Sequence, residues 1–179
     1  TWSLITNGTA PPSGNAGNGI RIATSPADTN VVYFAMVFDE GTVYKSTDGG
    51  NSFNIVYHNP SQSLTGYDAN GGGQGNYNFS LCANPNNADE LFTASHCVWH
   101  STDGGMSWTK LTNWWAVLHT DMHYIIYNPY NNSELWNAND GGIWLSTNSG
   151  NMWNPKSDGI SATEVYHAGQ SNTREDIIS

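Results

Sequence analysis

The sequence predicts an all-β protein, a fragment of a β-propeller built from four-stranded antiparallel blades. Three observations carry that prediction. Ser46–Phe53 reads STDGGNSF, Ser101–Trp108 reads STDGGMSW, and a blurred copy, STNSGNMW, spans Ser146–Trp153. The copies start 55 and then 45 residues apart, the length of one propeller blade. The 19 Gly, eight Trp and nine Tyr, with only 11% charged residues, suit short strands joined by tight turns. They argue against long helices or disorder.

The elements fall into register around the motif. Apolar stretches GIRIA, NFSLCA and HYIIY each lead into a polar turn marked by Pro26, Pro85 or Pro129. A second apolar run follows (VVYFAMV, ELFTAS, ELWNAN), then a short third strand (TVYKS, CVWHS, IWLS) that enters the motif. The motif's aromatic residue opens a fourth strand, clearest in SWTKLT. At the amino end Trp2 stands where Trp108 does, so residues 1–18 read as the end of a preceding blade and its connector. Residues 19–65 form one blade, 66–118 a second with a rim loop, and 119–160 a third. Residues 161–179 begin a further blade, with Ser171 at the place of Ser25. Remaining blades of the same propeller are therefore expected partners, because an open arc leaves raw sheet faces.

The motif itself has a structural reading. An Asp carboxylate can accept backbone N–H bonds in a tight turn, Gly tolerates positive φ, and a Ser hydroxyl can tie strand to turn. Ser46, Asp48, Gly50 and Phe53 form the first copy; Ser101, Asp103, Gly105 and Trp108 the second. Ser146, Asn148, Gly150 and Trp153 form the third, which has Asn for Asp and Met152 for Ser. The final aromatic is expected to pack between blades.

This sentence resembles the Asp-box, or bacterial neuraminidase repeat, of sialidases, xyloglucan-hydrolysing propellers and sortilin-like receptors. Across Gly71–Gln170 the chain also looks like large secreted bacterial propellers of type IX secretion systems. The resemblance implies a secreted or cell-surface location. A sialidase-like site would need three arginines, and Arg21 and Arg174 are the only two here. The Asp pair of xyloglucan-cleaving relatives has no placeable match.

A net charge of -10, with five Lys and Arg in total, excludes the clustered cations that nucleic acid requires. No apolar run approaches the roughly 20 residues of a membrane span, so no membrane insertion is expected. No signal peptide is visible, and any export signal is expected outside this stretch. Cys82 and Cys97 fall on neighbouring strands at different heights, which disfavours a mutual disulfide. Asn7, Asn78 and Asn131 head glycosylation sequons, a pattern that an Asn-rich chain produces by chance.

Chemistry concentrates in three places. In LHTDMH, His119, Asp121 and His123 alternate along the start of an innermost strand and would share one face, with Asp140 nearby as a further oxygen ligand. A His-x-His pair with carboxylates suits a divalent metal, although three ligands on one extended strand are too spread to meet one ion without a kink. The alternative is that these groups hydrogen-bond neighbouring turns. The rim loop GYDANGGGQGNYN supplies Tyr67, Asp68, Gln74 and Tyr77, and it lacks the helix and Lys of a phosphate loop. Trp114 and Trp115 lie in the next connector, where exposed rings could stack on sugars. As acid or base, Asp121 and Asp68 are the candidates.

Three functions remain open from sequence: a non-catalytic propeller binding glycan or a surface protein, a glycoside hydrolase of the sialidase or xyloglucanase type, or a structural part of a surface assembly. A hydrolase needs two carboxylates facing each other across a cleft, and fold does not choose among the three.

Overall fold

Polar turns fold each apolar run back on the next, and the computed structural model shows the strands that result. It describes residues 7–8, 19–37, 40–67, 73–113 and 118–159. The strands are β1 (Asn7–Gly8), β2 (Ile20–Ser25), β3 (Asp28–Met36), β4 (Thr42–Ser46), β5 (Ser52–Tyr57), β6 (Ser80–Asn84) and β7 (Asn87–Ala94). They continue with β8 (Val98–Ser101), β9 (Thr109–Lys110), β10 (Met122–Asn128), β11 (Asn131–Asn139), β12 (Gly142–Ser146) and β13 (Asn154–Pro155). There is no helix among the described residues. Three antiparallel meanders form, β2-β3-β4-β5, β6-β7-β8-β9 and β10-β11-β12-β13. The short β1 adds to the first, pairing parallel with β5, Asn7 opposite Ser52 and Gly8 opposite Phe53. Trp2 and Ser171 lie outside the described residues.

The first hairpin of each sheet closes in the same way. A side-chain oxygen at the end of the innermost strand accepts the N–H two residues on: Ser25 Oγ from Ala27 (3.1 Å), Asn84 Oδ1 from Asn86 (2.8 Å), Asn128 Oδ1 from Tyr130 (2.9 Å). This is the local turn that short polar side chains favour. The Asn amide is held in turn by a carboxylate on the next strand, Asn84 Nδ2 donating to Glu90 (2.6 Å) and Asn128 Nδ2 to Glu134 (2.8 Å).

The repeated turn joins β4 to β5, β8 to β9 and β12 to β13. Ser46 Oγ donates to Asp48 Oδ1 (2.7 Å) and accepts the Gly50 N–H (2.9 Å). Asp48 then takes the Ser52 N–H on one oxygen (2.9 Å) and the Ser52 hydroxyl on the other (2.6 Å). Asp103 repeats this with Ser101 (2.8 Å), the Ser107 N–H (2.9 Å) and the Ser107 hydroxyl (2.5 Å). In the third turn Asn148 Oδ1 still accepts from Ser146 (3.0 Å) and the Met152 N–H (2.8 Å), but Met152 has no hydroxyl to offer. Backbone φ is positive at Gly104 and Gly105 (72° and 85°), a conformation Gly adopts without strain. Ser149 and Gly150 occupy the same places in the third copy, with φ of 54° and 75°.

Register places every second residue on a common face, and those faces stack. Ala23, Tyr33, Ala35 and Val43 of the first sheet meet Leu81, Ala83, Leu91, Trp99 and Trp108 of the second. Cys82, Phe92, Ala94 and Val98 on the second sheet's other face meet Ile125, Tyr127, Leu135 and Trp153 of the third. The motif aromatics Trp108 and Trp153 thus pack against the preceding sheet, while Phe53 packs on Phe34 of its own sheet (ring centroids 4.9 Å). Both cysteines are buried, and burial pushes the Cys82 thiol up to about 12. The third sheet's outward face is open by comparison. Ile126 is 56% exposed where its repeat counterpart Cys82 is 9%, and Ile143 is 37% exposed where Val98 is buried completely.

Asp103→Ala should cost about 1–3 kcal/mol in urea unfolding, because the turn N–H and hydroxyl groups lose their acceptor. Asp103→Asn should cost less, since Asn148 already serves in the third turn. Equal losses would contradict the acceptor account. Hydrogen bonds from Ser52 and Ser46 hold Asp48 down at about 2. Its contribution is therefore present above the ordinary carboxylate range near pH 4 and disappears as pH falls through about 2. An Asp48→Asn variant should flatten the acid limb of a stability profile over that window.

Candidate functional site

Strand direction alternates within each sheet, so the connectors between sheets share one rim with the turns between second and third strands. Residues 58–67 and 73–79 of the first connector lie there, as do Ser95–Cys97 and Asp140–Gly141. The rim is thus built from different sheets, and its side chains meet only because the sheets stack.

Its centre is Asp121, just before β10. Its backbone sits at φ 60°, a left-handed conformation that Asp tolerates better than most residues. That turn aims the carboxylate away from its own strand and toward the preceding connector. Asp121 Oδ1 accepts from Gln74 Nε2 and from Asn78 Nδ2 (2.8 Å). His96 Nδ1 lies 3.4 Å from the same oxygen and 2.9 Å from the Thr120 hydroxyl. Asn78 is completely buried and bridges further, its Oδ1 accepting from Ser95 Oγ (3.2 Å), which also donates to the Thr65 carbonyl (3.2 Å). A glycan on Asn78 is sterically excluded, whereas Asn131 is exposed at a hairpin.

The predicted common face of His119, Asp121 and His123 does not form. β10 begins only at Met122, and a bulge between Met122 and Tyr124 breaks the alternation. His119 Nδ1 donates to the Thr120 carbonyl (2.8 Å), and His123 Nε2 pairs with Asp140 (2.8 Å). Asp121 turns to the second sheet instead. Among the described residues no three His, Cys, Asp or Glu side chains converge as metal ligands.

The glycine-rich rim loop has a packing reason. A Cβ on Gly73 would lie 1.8 Å from the Thr65 carbonyl oxygen, and one on Gly75 2.8 Å from the Thr65 methyl. The backbone must pass that close for Gln74 to reach Asp121. Tyr67 stacks flat on His96 (centroids 3.6 Å, 16° between planes), and Tyr77 stands edge-on to His123 (5.0 Å, 85°). Both tyrosines keep an open side, at 39% and 54% exposure. Asp68, Trp114 and Trp115 lie outside the described residues.

Sequence reasoning missed His96 and Asn78. His96 occupies the same inter-strand turn of the second sheet that Asp140 occupies in the third, so the repeat alignment held the signal. His96 is fully buried, and its Nε2 has no hydrogen-bond partner among the described residues. Burial lowers its pKa below the ordinary imidazole value, outweighing the upward pull of Asp121.

Three stacked four-stranded sheets with rim connectors define the chain as a segment of a β-propeller. Comparison with solved structures agrees. The chain is similar to a GH74 enzyme from Niastella koreensis (24% identity, 75% of this chain and 22% of that one, TM-score 0.55). It is similar to YCF48 bound to D1 peptide (18% identity, 86% of this chain and 45% of that one, TM-score 0.57). A third neighbour is the GH74 xyloglucanase from Xanthomonas campestris (15% identity, 78% and 23% covered, TM-score 0.51). The chain spans less than half the length of each. No protein-family model matches it, and no curated protein does.

Asp121→Ala should destabilise by about 2–3 kcal/mol, because it strands the buried Asn78 amide and puts Ala at positive φ. Asp121→Asn keeps an acceptor and tolerates that φ, so it should lose less than half as much. Thermal unfolding of the two variants checks the difference.

Proposed function

We propose that the chain is part of a secreted or cell-surface Asp-box propeller that binds a glycan or another protein across its connector rim, without catalysis. The turn hydrogen bonds at Asp48, Asp103 and Asn148 support the Asp-box assignment. They follow the role each motif residue was expected to play. The remaining blades of the same propeller would cover the third sheet's open face, with residues 161–179 opening the next one.

One observation carries the binding reading. Tyr67 and Tyr77 are anchored on their inner sides by histidines yet exposed on their outer sides, beside the His123–Asp140 pair. Rigid aromatic faces next to polar groups suit both sugar rings and peptide side chains. Asp121 by contrast is engaged by amide donors, which suits a carboxylate that positions connectors rather than one that exchanges protons. The structural neighbours span both ligand classes, a peptide complex and a xyloglucanase. The hydrolase reading rests on the second of these, and a structural role in a surface assembly remains the third.

Tyr77→Ala should weaken binding about tenfold, as loss of one stacking aromatic contact implies, with a melting temperature within about 2 °C of the parent. Glycan-array and calorimetric titrations measure the first, and unchanged affinity for every bound ligand would remove this rim from consideration. Trp114→Ala with Trp115→Ala tests the neighbouring connector in the same assay. Asp121→Asn separates binding from turnover. Reducing-sugar release that is present in the parent and abolished in this variant would favour the hydrolase.

A further inference from the structure

His96 is a completely buried imidazole at the point where two connectors cross the second sheet, and the rim-binding reading uses only its ring face, as the support beneath Tyr67. Three elements close around it. The Ser95–Cys97 turn carries it, Tyr67 of the first connector covers its ring face, and Thr120 with Asp121 of the second connector take its Nδ1 edge. The next thiol along, Cys97, donates to the Tyr67 carbonyl (3.5 Å) and so belongs to the same junction. We infer that the Tyr67–His96–Asp121 junction is an acid-sensitive fastening: proton uptake by His96 releases the two rim connectors from the second sheet and loosens the seam to the third.

Hydrogen bonding sets the tautomer. Thr120 Oγ1 lies 2.9 Å from Nδ1 and 3.4 Å from the His96 carbonyl, so the hydroxyl donates to that carbonyl and accepts from Nδ1–H. Asp121 Oδ1 is the other acceptor on that edge. Nδ1 therefore carries the proton and Nε2 is left as a bare lone pair with no partner among the described residues. A second proton can go only on Nε2. There it would make a buried cationic N–H with no acceptor, at a desolvation cost far above that of the neutral ring. Asp121 is the charged group acting on the ring, and it cannot offset this, because its accepting oxygen is shared with Gln74 and Asn78 and lies on the opposite edge. Opening the junction gives Nε2 water, and that is the route by which the proton is accommodated.

The sign follows. Once exposed, His96 titrates near the ordinary value of about 6.5, whereas in the closed junction it titrates lower. The closed form is thus fully stabilised above about pH 6.5 and loses stability as pH falls below it, toward the lower value of the buried ring. Each pH unit in that window favours opening by up to about tenfold.

The device does not depend on the rim binding anything, so it is tested without ligand. Native-state hydrogen exchange, normalised for the chemical rate at each pH, is compared at pH 7.5 and 5.0 on the full chain. Amides of Ser95–Val98, Tyr77–Asn78 and Met122 should exchange severalfold faster at the lower pH. Those of Leu135–Asn137 in β11 should stay within about twofold. His96→Phe preserves a ring for Tyr67 and removes the proton, so its junction amides should show no such acceleration. Should that variant fail to fold, imidazole 15N spectra of the parent decide: His96 should show the Nδ1–H tautomer at neutral pH and titrate below 6.5. Exchange at the junction no more pH-dependent than in β11, acceleration retained in His96→Phe, or a His96 that titrates at or above 6.5 would each overturn the inference.

Discussion

Every sheet in this chain is apolar on both faces, and that is the constraint from which the rest follows. A sheet apolar on both faces is stabilised by a neighbour on each side. The second sheet shows the result, with Leu81, Leu91 and Trp99 buried on one side and Phe92, Ala94 and Val98 on the other. Burial of large apolar side chains stabilises by about 1.5–3 kcal/mol each. By comparison the Lys45–Asp89 bridge across the first seam, with the Asp89 side chain 56% exposed, contributes about 1 kcal/mol or less. Stacking by apolar faces therefore sets the architecture, and polar contacts adjust it.

Stacking has a cost at the edges. Neighbouring innermost strands approach each other side by side without sharing a ladder, so their backbone groups need other partners. Side chains supply them: Ser25 Oγ donates to the Asn84 carbonyl (2.6 Å), Arg21 Nε to the Phe79 carbonyl, and Ser80 Oγ accepts the Ile125 N–H (3.1 Å). A similar need at the rim explains the fully buried polar residues Ser63, Asn78 and Ser95. A cavity lined by Arg21, Ile22, Ser80, Cys82, Tyr124 and Ile126 runs along these strands, about 680 Å³ in volume. It is the inner surface of the arc.

The rim is where structure turns toward function. Asp121 links two connectors and the second sheet through one oxygen, beside the partly exposed rings of Tyr67 and Tyr77. Rigid support beneath an exposed aromatic limits the entropy lost on binding. The same economy buries His96 with no partner for Nε2 among the described residues, the feature on which the proposed acid response of this support rests.

By itself the sequence determined the blades. The 55- and 45-residue spacing, the Pro-marked turns and the Ser-x-Asp-Gly-Gly sentence are local, and each closes through contacts within about five residues, so they can be read without neighbours. The packing of Trp108 and Trp153 between sheets was legible for the same reason, since an aromatic ending each turn repeats with the blade. The site was legible only in part. His119, Asp121 and His123 were expected on one face by strand alternation, but a positive φ at Asp121 and a bulge in β10 send them to three separate partners. Asp121 is held by Gln74 and Asn78 of the connector before β6, 47 and 43 residues away in the chain, while His119 and His123 bond Thr120 and Asp140 nearby. His96 gave no local sign either, because a lone His in a turn acquires meaning only when Tyr67 and Asp121 close over it. Tertiary structure decided the rim, since its hydrogen bonds join connectors that only the stacking of sheets brings together.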